Sequence, residues 1–421
     1  MPRKKDNFPA PPDLPSFRVE ADAAPREAKR SRGAGGGGGG DGDGGGAAAA
    51  ERHVGTSLIR HDALLEESLI DSDAAKVVRR LERSGFQAYL VGGCVRDLLL
   101  GSKPKDYDIA TSARPEDVRA IFRNCRIIGR RFRLAHVLFG GGKVIEVATF
   151  RKSPPEVEDL DEDLLIRNDN LFGEAHEDAI RRDFTINALF YDLDRRQVLD
   201  WCGGMEDVRR RTIRTIGEPS VRFREDPVRI LRAVKFAARL DLGIEPAVWD
   251  AMVSHRHELA KAARPRIFEE VLRLMRGGGA HRSMWILWES GCLAVLLPEL
   301  AAFLDDEESN PEGVRRFWRS LDEIDRRTKR SGPQDDVVLV TVLLREPLEE
   351  ALSGVKDKAG AFADFIDVIV ERMAVPRRIA DSMRRIIGML PRIAAGRVGK
   401  FAKSELMAPA TLLLEIDRAS R

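Results

Sequence analysis

Residues 90–109 read LVGGCVRDLLLGSKPKDYDI. A short apolar strand, Ala88 to Val91, meets the pair Gly92 and Gly93. A helical stretch from Cys94 to Leu100 follows and is closed by Gly101. Glycines at a strand-to-helix turn let backbone N–H groups approach a phosphate, and the helix N-terminus favours its charge. Arg96 and Asp97 lie within the first turn. Asp106 and Asp108 stand two apart, so on a strand from Asp106 to Ala110 both carboxylates leave one face. Adjacent carboxylates repel unless a cation holds them. Magnesium, a hard ion that prefers carboxylate oxygen, suits Asp106 and Asp108 as its ligands. A phosphate cradle followed by paired carboxylates is what metal-dependent phosphoryl or nucleotidyl transfer requires.

Three further segments extend this reading. Glu146 lies in the apolar run Val-Ile-Glu-Val-Ala-Thr-Phe150, where an unpartnered carboxylate would be costly. A neighbouring strand can bring it to the aspartates. Arg181-Arg182-Asp183-Phe184-Thr185-Ile186-Asn187 sets two guanidiniums, a carboxylate and an amide within a turn or so. The arginines suit phosphate, and Asp183 and Asn187 suit ribose hydroxyls; a salt-bridged helix start is the structural alternative. Asp226 and Arg229, three apart at the helix opened by Asp226-Pro227, share a face. Their carboxylate and guanidinium match the amino group and ring nitrogen of adenine or cytosine, and mismatch guanine and uracil. An N-cap with a local ion pair is the plainer reading. Arg232, Lys235 and Arg239 continue a basic stripe, suited either to RNA phosphates or to a solvated helix face.

The chain has 421 residues, enough for two or three domains. Lys and Arg number 70 against 68 Asp and Glu, a net charge of +2, so a nucleic-acid partner must be argued from local patches. The four cysteines are scattered without a C-x-x-C pair, which fits a reducing compartment and argues against a zinc site. His255 and His257 would lie on different helix faces and make a poor metal pair. No apolar run reaches the ~18 residues of a membrane span, and the first residues lack a signal-peptide core. The expectation is a soluble, cytoplasmic protein.

Residues 1–56, rich in Gly, Pro, Ala and charge, read as a disordered tail. Residues 57–201 read as a mixed α/β head. It has a helix over Leu69 to Ser84, another over Pro115 to Phe122, and a hairpin of Leu134–Phe139 and Val144–Phe150 joined by Gly140–Gly142. Glu156 to Asp163 reads as a mobile acidic loop, and Val198 to Trp201 as the last strand. Beyond residue 202 the patterns are all helical, with Trp285 and Trp288 expected in the core.

GGCVRDLLLG, KPKDYDIAT, EVATFR, RRDFTINAL, the Asp200 to Ile216 segment and REDPVRILRAVKFAARL together resemble the successive motifs of the class II nucleotidyltransferase family. That family contains bacterial poly(A) polymerases and CCA-adding tRNA nucleotidyltransferases. The resemblance spans about residues 70–300. Cys125 to Val137 further resembles the basic strand of the bacterial polyadenylating members, and Arg130, Arg131 and Arg133 within it suit sequence-independent RNA contacts. Arg266-Ile-Phe-Glu-Glu270 resembles the helical motif after the base reader.

The resemblance implies an α+β nucleotidyltransferase head, a small mixed β-sheet with helices, followed by an all-α neck (202–276) and an RNA-binding body and tail (277–421). It implies Asp106 and Asp108 as metal-binding catalytic acids, with Glu146 or Asp183 as a third. Gly92, Gly93, Arg96, Asp97, Arg182, Asn187, Asp226 and Arg229 would then bind the nucleotide. The implied cofactor is Mg2+, and the implied partners are ATP and RNA 3′ ends. The expected activity is template-independent addition of AMP to RNA, with CCA addition to tRNA as the alternative. Intact carboxylates argue against a catalytically silent RNA-binding scaffold. Polyadenylating members often end in a long basic tail that this chain lacks; Arg377, Arg378, Arg384, Arg385 and Arg397 are the residues available to substitute for it.

Overall fold

The computed structural model describes residues 57–63, 65–129, 133–153 and 171–421. The expected N-terminal tail, the acidic loop Glu156 to Asp163, and Arg130 and Arg131 lie outside the described residues.

The head strands are β1 (Ile59–Asp62), β2 (Ala88–Val91), β3 (Asp108–Thr111), β4 (Cys125–Ile128), β5 (Leu134–Leu138), β6 (Val144–Thr149), β7 (Arg151–Lys152), β8 (Leu171–Phe172), β9 (Phe190–Asp192) and β10 (Gln197–Asp200). Its helices are α1 (Ser72–Arg83), α2 (Gly93–Leu99), α3 (Pro115–Ile121) and α4 (Ala175–Ile180). Eight of the strands form one mixed sheet in the order β1-β10-β9-β2-β3-β6-β5-β4. Only the β3–β6 pair is parallel within it; each other neighbouring pair is antiparallel.

Local chemistry sets the boundaries. Ala74, Val77, Val78 and Leu81 form the buried face of α1. The helix starts at Ser72 rather than Leu69 because Asp71 caps it, accepting from the N–H groups of Asp73 and Ala74 at 2.9 and 3.0 Å. Strand β2 spans Ala88–Val91 as its apolar run predicts. Strand β3 begins at Asp108, so Asp106 stands before it rather than in it. The alternation nevertheless holds: Tyr107 is buried, its hydroxyl bonded to the carbonyl of Leu69, while Asp106 and Asp108 are exposed.

The remainder is helical: α5 (Gly204–Arg210), α6 (Pro219–Glu225), α7 (Val228–Leu240), α8 (Pro246–His255), α9 (Arg264–Arg276), α10 (Ala280–Glu289), α11 (Cys292–Leu296), α12 (Pro298–Asp305), α13 (Pro311–Ser331), α14 (Asp336–Ala351), α15 (Lys358–Met373), α16 (Arg377–Ala394) and α17 (Met407–Ser420). Two residue pairs depart from the all-helical expectation: β11 (Thr212–Ile213) and β12 (Gly243–Ile244) pair in parallel. Helix α14 is buried from Val337 through Leu344 and forms the centre of the bundle. One continuous apolar core runs from Val77 in α1 through Val234 in α7 to Ile416 in α17. A smaller core, with Val91, Ala110, Phe150, Phe190 and Trp201, lies apart from it. Trp285 is 38 % exposed and packs against Trp288 and Trp318 at the surface, not in the core as expected.

Candidate active site

The sheet register assembles an acidic cluster. Asp108 pairs with Val91 on one side and Glu146 on the other. Parallel partners in register share a face, so Glu146 stands beside Asp108. Its own strand alternates, with Ile145 and Val147 buried and Glu146 open to solvent; the cost expected of a buried carboxylate does not arise. The Asp108 carboxylate reaches solvent but is hemmed in by protein. That crowding, then Glu146, then Asp106, raise its pKa, and Arg182 opposes them. His136, opposite Glu146 across β5 and β6, places Nε2 at 3.5 Å from Oε1.

Clustered carboxylates that disfavour each other's charge fit a divalent cation. Among the described residues no group of three or more His, Cys, Asp or Glu closes a metal cage. Magnesium needs none: one or two carboxylates, waters and substrate phosphates complete its shell. Asp106 and Asp108 fit that pattern.

The glycine turn adjoins this cluster, since Val91 precedes it. Gly92 has φ +71° and ψ −124°, a region open to glycine. A Cβ there would stand 2.9 Å from Nη1 of Arg182. Arg182 thus lies over the turn. Asp178 holds it from below, accepting from Nε and Nη2 at 3.2 and 2.9 Å, and the carbonyl of Asn187 accepts from Nη1 at 3.2 Å. Its guanidinium caps the Phe190 ring at 5.2 Å. Arg182 thus lies over the Gly92 turn and close enough to Asp108 to lower its pKa.

Other predicted residues turn inward instead. Arg96 is 3 % exposed. It donates to Asp97 from Nε and Nη2 at 2.8 and 2.6 Å, and from Nη1 to Oδ1 of Asn187 at 2.5 Å. Asp97 is also buried and takes a second pairing from Arg239 at 3.5 Å. Asn187 bonds Asp183 with its amide nitrogen at 3.1 Å. These three side chains brace the turn and pair with one another.

Asp183 is likewise occupied. Oδ1 accepts from Phe184 N–H and Asn187, and Oδ2 accepts from Arg232 at 2.6 Å. Against its burial, Arg232 and then Asn187 depress its pKa to about 2. The two candidate third acids lie in different surroundings. Glu146 stands in the cluster with Asp106 and Asp108; Asp183 ties the head to α7. The basic stripe shares this fate. Arg232 pairs with Asp183, Lys235 with Glu270 at 2.9 Å, and Arg239 with Asp97. It is a seam between α7, the head and α9, because each cation meets a carboxylate on the facing element. Arg133 is exposed and pairs with Glu116 at 2.5 Å.

The proposed base readers sit where α6 gives way to α7. Val228 N–H meets Oδ1 of Asp226 at 3.3 Å, a weak form of the expected cap. Both oxygens of Asp226 are held by Arg266 of α9, at 2.8 and 2.7 Å. Arg229 is 8 % exposed and donates from Nη1 to Glu225 at 2.8 Å. The two are close in sequence but clamped by different partners.

Sequence reasoning missed Arg222, Glu225 and Asp178. Arg222 donates to the carbonyls of Arg181 and Arg182 at 3.0 and 2.6 Å and shares Glu225 with Arg229. Its buried Nε has no partner among the described residues. The available signal was helical spacing: Glu225 lies three after Arg222 and four before Arg229, and Asp178 four before Arg182.

Comparison with known proteins shows the family of the chain. Residues 88–214 match the family model described as Poly A polymerase head domain, and residues 241–304 match "Probable RNA and SrmB- binding site of polymerase A". The chain is 38 % identical over 362 residues to Poly(A) polymerase I of Salmonella typhimurium, covering 82 % of this chain and 77 % of that one. It is 40 % identical over 229 residues to the CCA-adding enzyme of Geobacillus stearothermophilus, covering 54 % of this chain and 55 % of that one. The crystal structure of the Bacillus stearothermophilus CCA-adding enzyme in complex with CTP superposes with a TM-score of 0.61 at 30 % identity, covering 82 % of this chain and 77 % of that one. A mixed-sheet head carrying an acidic cluster, followed by a helical remainder, defines a nucleotidyltransferase. The chain belongs to the class II nucleotidyltransferase family of poly(A) polymerases and CCA-adding enzymes.

Proposed function

We propose that this protein is a poly(A) polymerase that adds AMP from ATP to RNA 3′ ends without a template, in RNA 3′-end processing and turnover. The observation that carries this reading is the register placing Asp108 beside Glu146 and next to the Gly92 turn, under Arg182. The RNA 3′-oxygen attacks the α-phosphorus of ATP; the bond from that phosphorus to the bridging oxygen breaks, and pyrophosphate leaves. The 3′-hydroxyl proton passes to water in the same step. Gly92 and Gly93 offer bare backbone to the triphosphate, and Arg182 supplies positive charge there. Magnesium held by Asp106 and Asp108 would lower the pKa of the 3′-hydroxyl and steady the triphosphate. Glu146 adds negative charge that favours the ion. Asp226 and Arg229 would read the base by exchanging their bonds to Arg266 and Glu225 for it. The division into head (57–201), neck (202–276) and body with tail (277–421) and a cytoplasmic location accompany this reading. Among the described residues no helix is long and apolar enough to cross a membrane.

The second reading is CCA addition, favoured by the 40 % identity to a CCA-adding enzyme over about half of each chain. The sequence likeness to poly(A) polymerase I extends much further along both chains and ranks polyadenylation first, while the structural likeness to a CCA-adding enzyme spans as much of this chain. The test supplies each nucleoside triphosphate singly to an unstructured RNA and to a tRNA lacking CCA. Long heterogeneous adenine tails on the unstructured RNA are expected. Addition of C, C and A to the tRNA, with little extension of the other RNA, would overturn the assignment.

A further inference from the structure

Helix α16 presents Arg377, Arg378, Arg385 and Arg392 to solvent, with Arg397 just past its end. Arg378, Arg385 and Arg392 recur every seven residues, which lines them along one side at about 10 Å spacing. Of the arginines on this helix, Arg384 alone is ion-paired among the described residues, with Asp367 and with Asp381 at 3.5 Å. One guanidinium offsets one of those two carboxylates, and the other arginines still leave the line net positive.

A shallow open notch of about 370 Å³ interrupts this line, walled by Arg384, Arg385, Gly388, Met389 and Phe401. Phe401 comes from the short turn Gly399–Lys403. Gly388 forms the floor. Its φ is not positive, and a Cβ there would meet nothing within 4 Å. Neither backbone geometry nor packing calls for glycine, and in mid-helix alanine is the more stable choice. The bare backbone instead lets a flat group approach the helix between an arginine and an aromatic ring.

We propose that this notch binds one nucleotide of single-stranded RNA, with the base against Phe401 and Met389 over Gly388 and the phosphate on Arg385. Arg378 and Arg392 take flanking phosphates. The inference rests on the polymerase reading and gives it an RNA contact remote from the acidic cluster in sequence. An acidic protein segment would use the same charges, but only a nucleic acid carries a flat base beside every phosphate.

The test uses the full chain and 5′-labelled oligoadenylate, with binding followed by fluorescence anisotropy across a salt series and melting followed by circular dichroism. Gly388→Ala should raise the melting temperature yet weaken RNA binding by about five-fold or more, the loss of one stacked base. Arg385→Ala should weaken binding and flatten the slope of log affinity against log salt by about 0.7, one phosphate contact on a single strand. Unchanged affinity in both variants overturns the notch, as does a polyglutamate peptide that binds as tightly as the RNA. The unaltered protein is assayed in parallel for tail synthesis from ATP. If it makes tails while the variants bind RNA normally, the notch alone is rejected. If it makes none, the polymerase reading falls and takes the notch with it.

Discussion

Replacing Asp183 by Asn separates a structural tie from a catalytic acid. The Asp183 carboxylate is buried, accepts from Arg232, Asn187 and a backbone N–H, and titrates at about 2 against an ordinary 3.8. That gap, at ~1.4 kcal/mol per pH unit, corresponds to about 2–3 kcal/mol of folding stability. The sign follows from the direction. A depressed carboxylate contributes fully above its unfolded pKa and loses the contribution as pH falls through the folded one. Asn also takes from Arg232 its paired carboxylate, leaving only the weaker influence of Glu270 and Asp226, and breaking a buried pair typically costs about 3–5 kcal/mol. Arg232 keeps 31 % side-chain exposure, so water relieves part of that. Asp183→Asn should therefore lose about 2–4 kcal/mol near pH 7, with the deficit closing toward pH ~2. Urea denaturation of both proteins across that pH range measures it. A double variant that also carries Arg232→Met should lose less than the sum of the single losses. An Asn variant as stable as the parent at pH ~7, yet inactive, would refute the tie and return Asp183 to the catalytic list.

Asp108→Asn should abolish nucleotide addition while raising the melting temperature of the metal-free protein. Its carboxylate has a raised pKa, so ionisation costs stability as pH rises through it; a lowered melting temperature would contradict this. Gly92→Ala should destabilise by about 1–3 kcal/mol, because alanine must adopt a strained φ and crowd Arg182, and should raise the KM for ATP. Calorimetry and initial-rate kinetics check both effects, and an unchanged KM would remove the turn from triphosphate binding. Arg229→Ala should raise the relative use of GTP and UTP by the equivalent of ~1–3 kcal/mol. Equal losses for all four nucleotides would instead make Arg229 a support for Glu225.

Elements set by local chemistry were legible in the sequence. The Ala88–Val91 strand, the glycine turn, the glycine-joined hairpin and the face of α1 each follow from period, glycine placement and capping over a few residues. Asp106 and Asp108 were legible for the same reason, since alternation needs no partner. The arginines were not. Arg96, Arg232, Lys235 and Arg239 read as phosphate ligands because a guanidinium or ammonium advertises only its charge. Whether it faces solvent or a carboxylate depends on what the fold brings opposite. Asp97, Asp183 and Glu270 arrive from elements up to 142 positions away in sequence from their partners, and spacing carries no trace of that pairing.

By itself the sequence determined the class of chemistry: paired carboxylates after a glycine turn, on a short strand, ahead of a helical remainder. That much is decided by residue type and by periods of 2 and 3.6, which act locally. The tertiary structure decided membership of the site. The parallel register of β3 with β6 brought Glu146 to Asp108. Close approach at Gly92 put Arg182 over the turn. The packing of α7 against the head withdrew Asp183 and the basic stripe into ion pairs. A charged side chain takes the partner that desolvation leaves it, and desolvation is a property of the assembled fold.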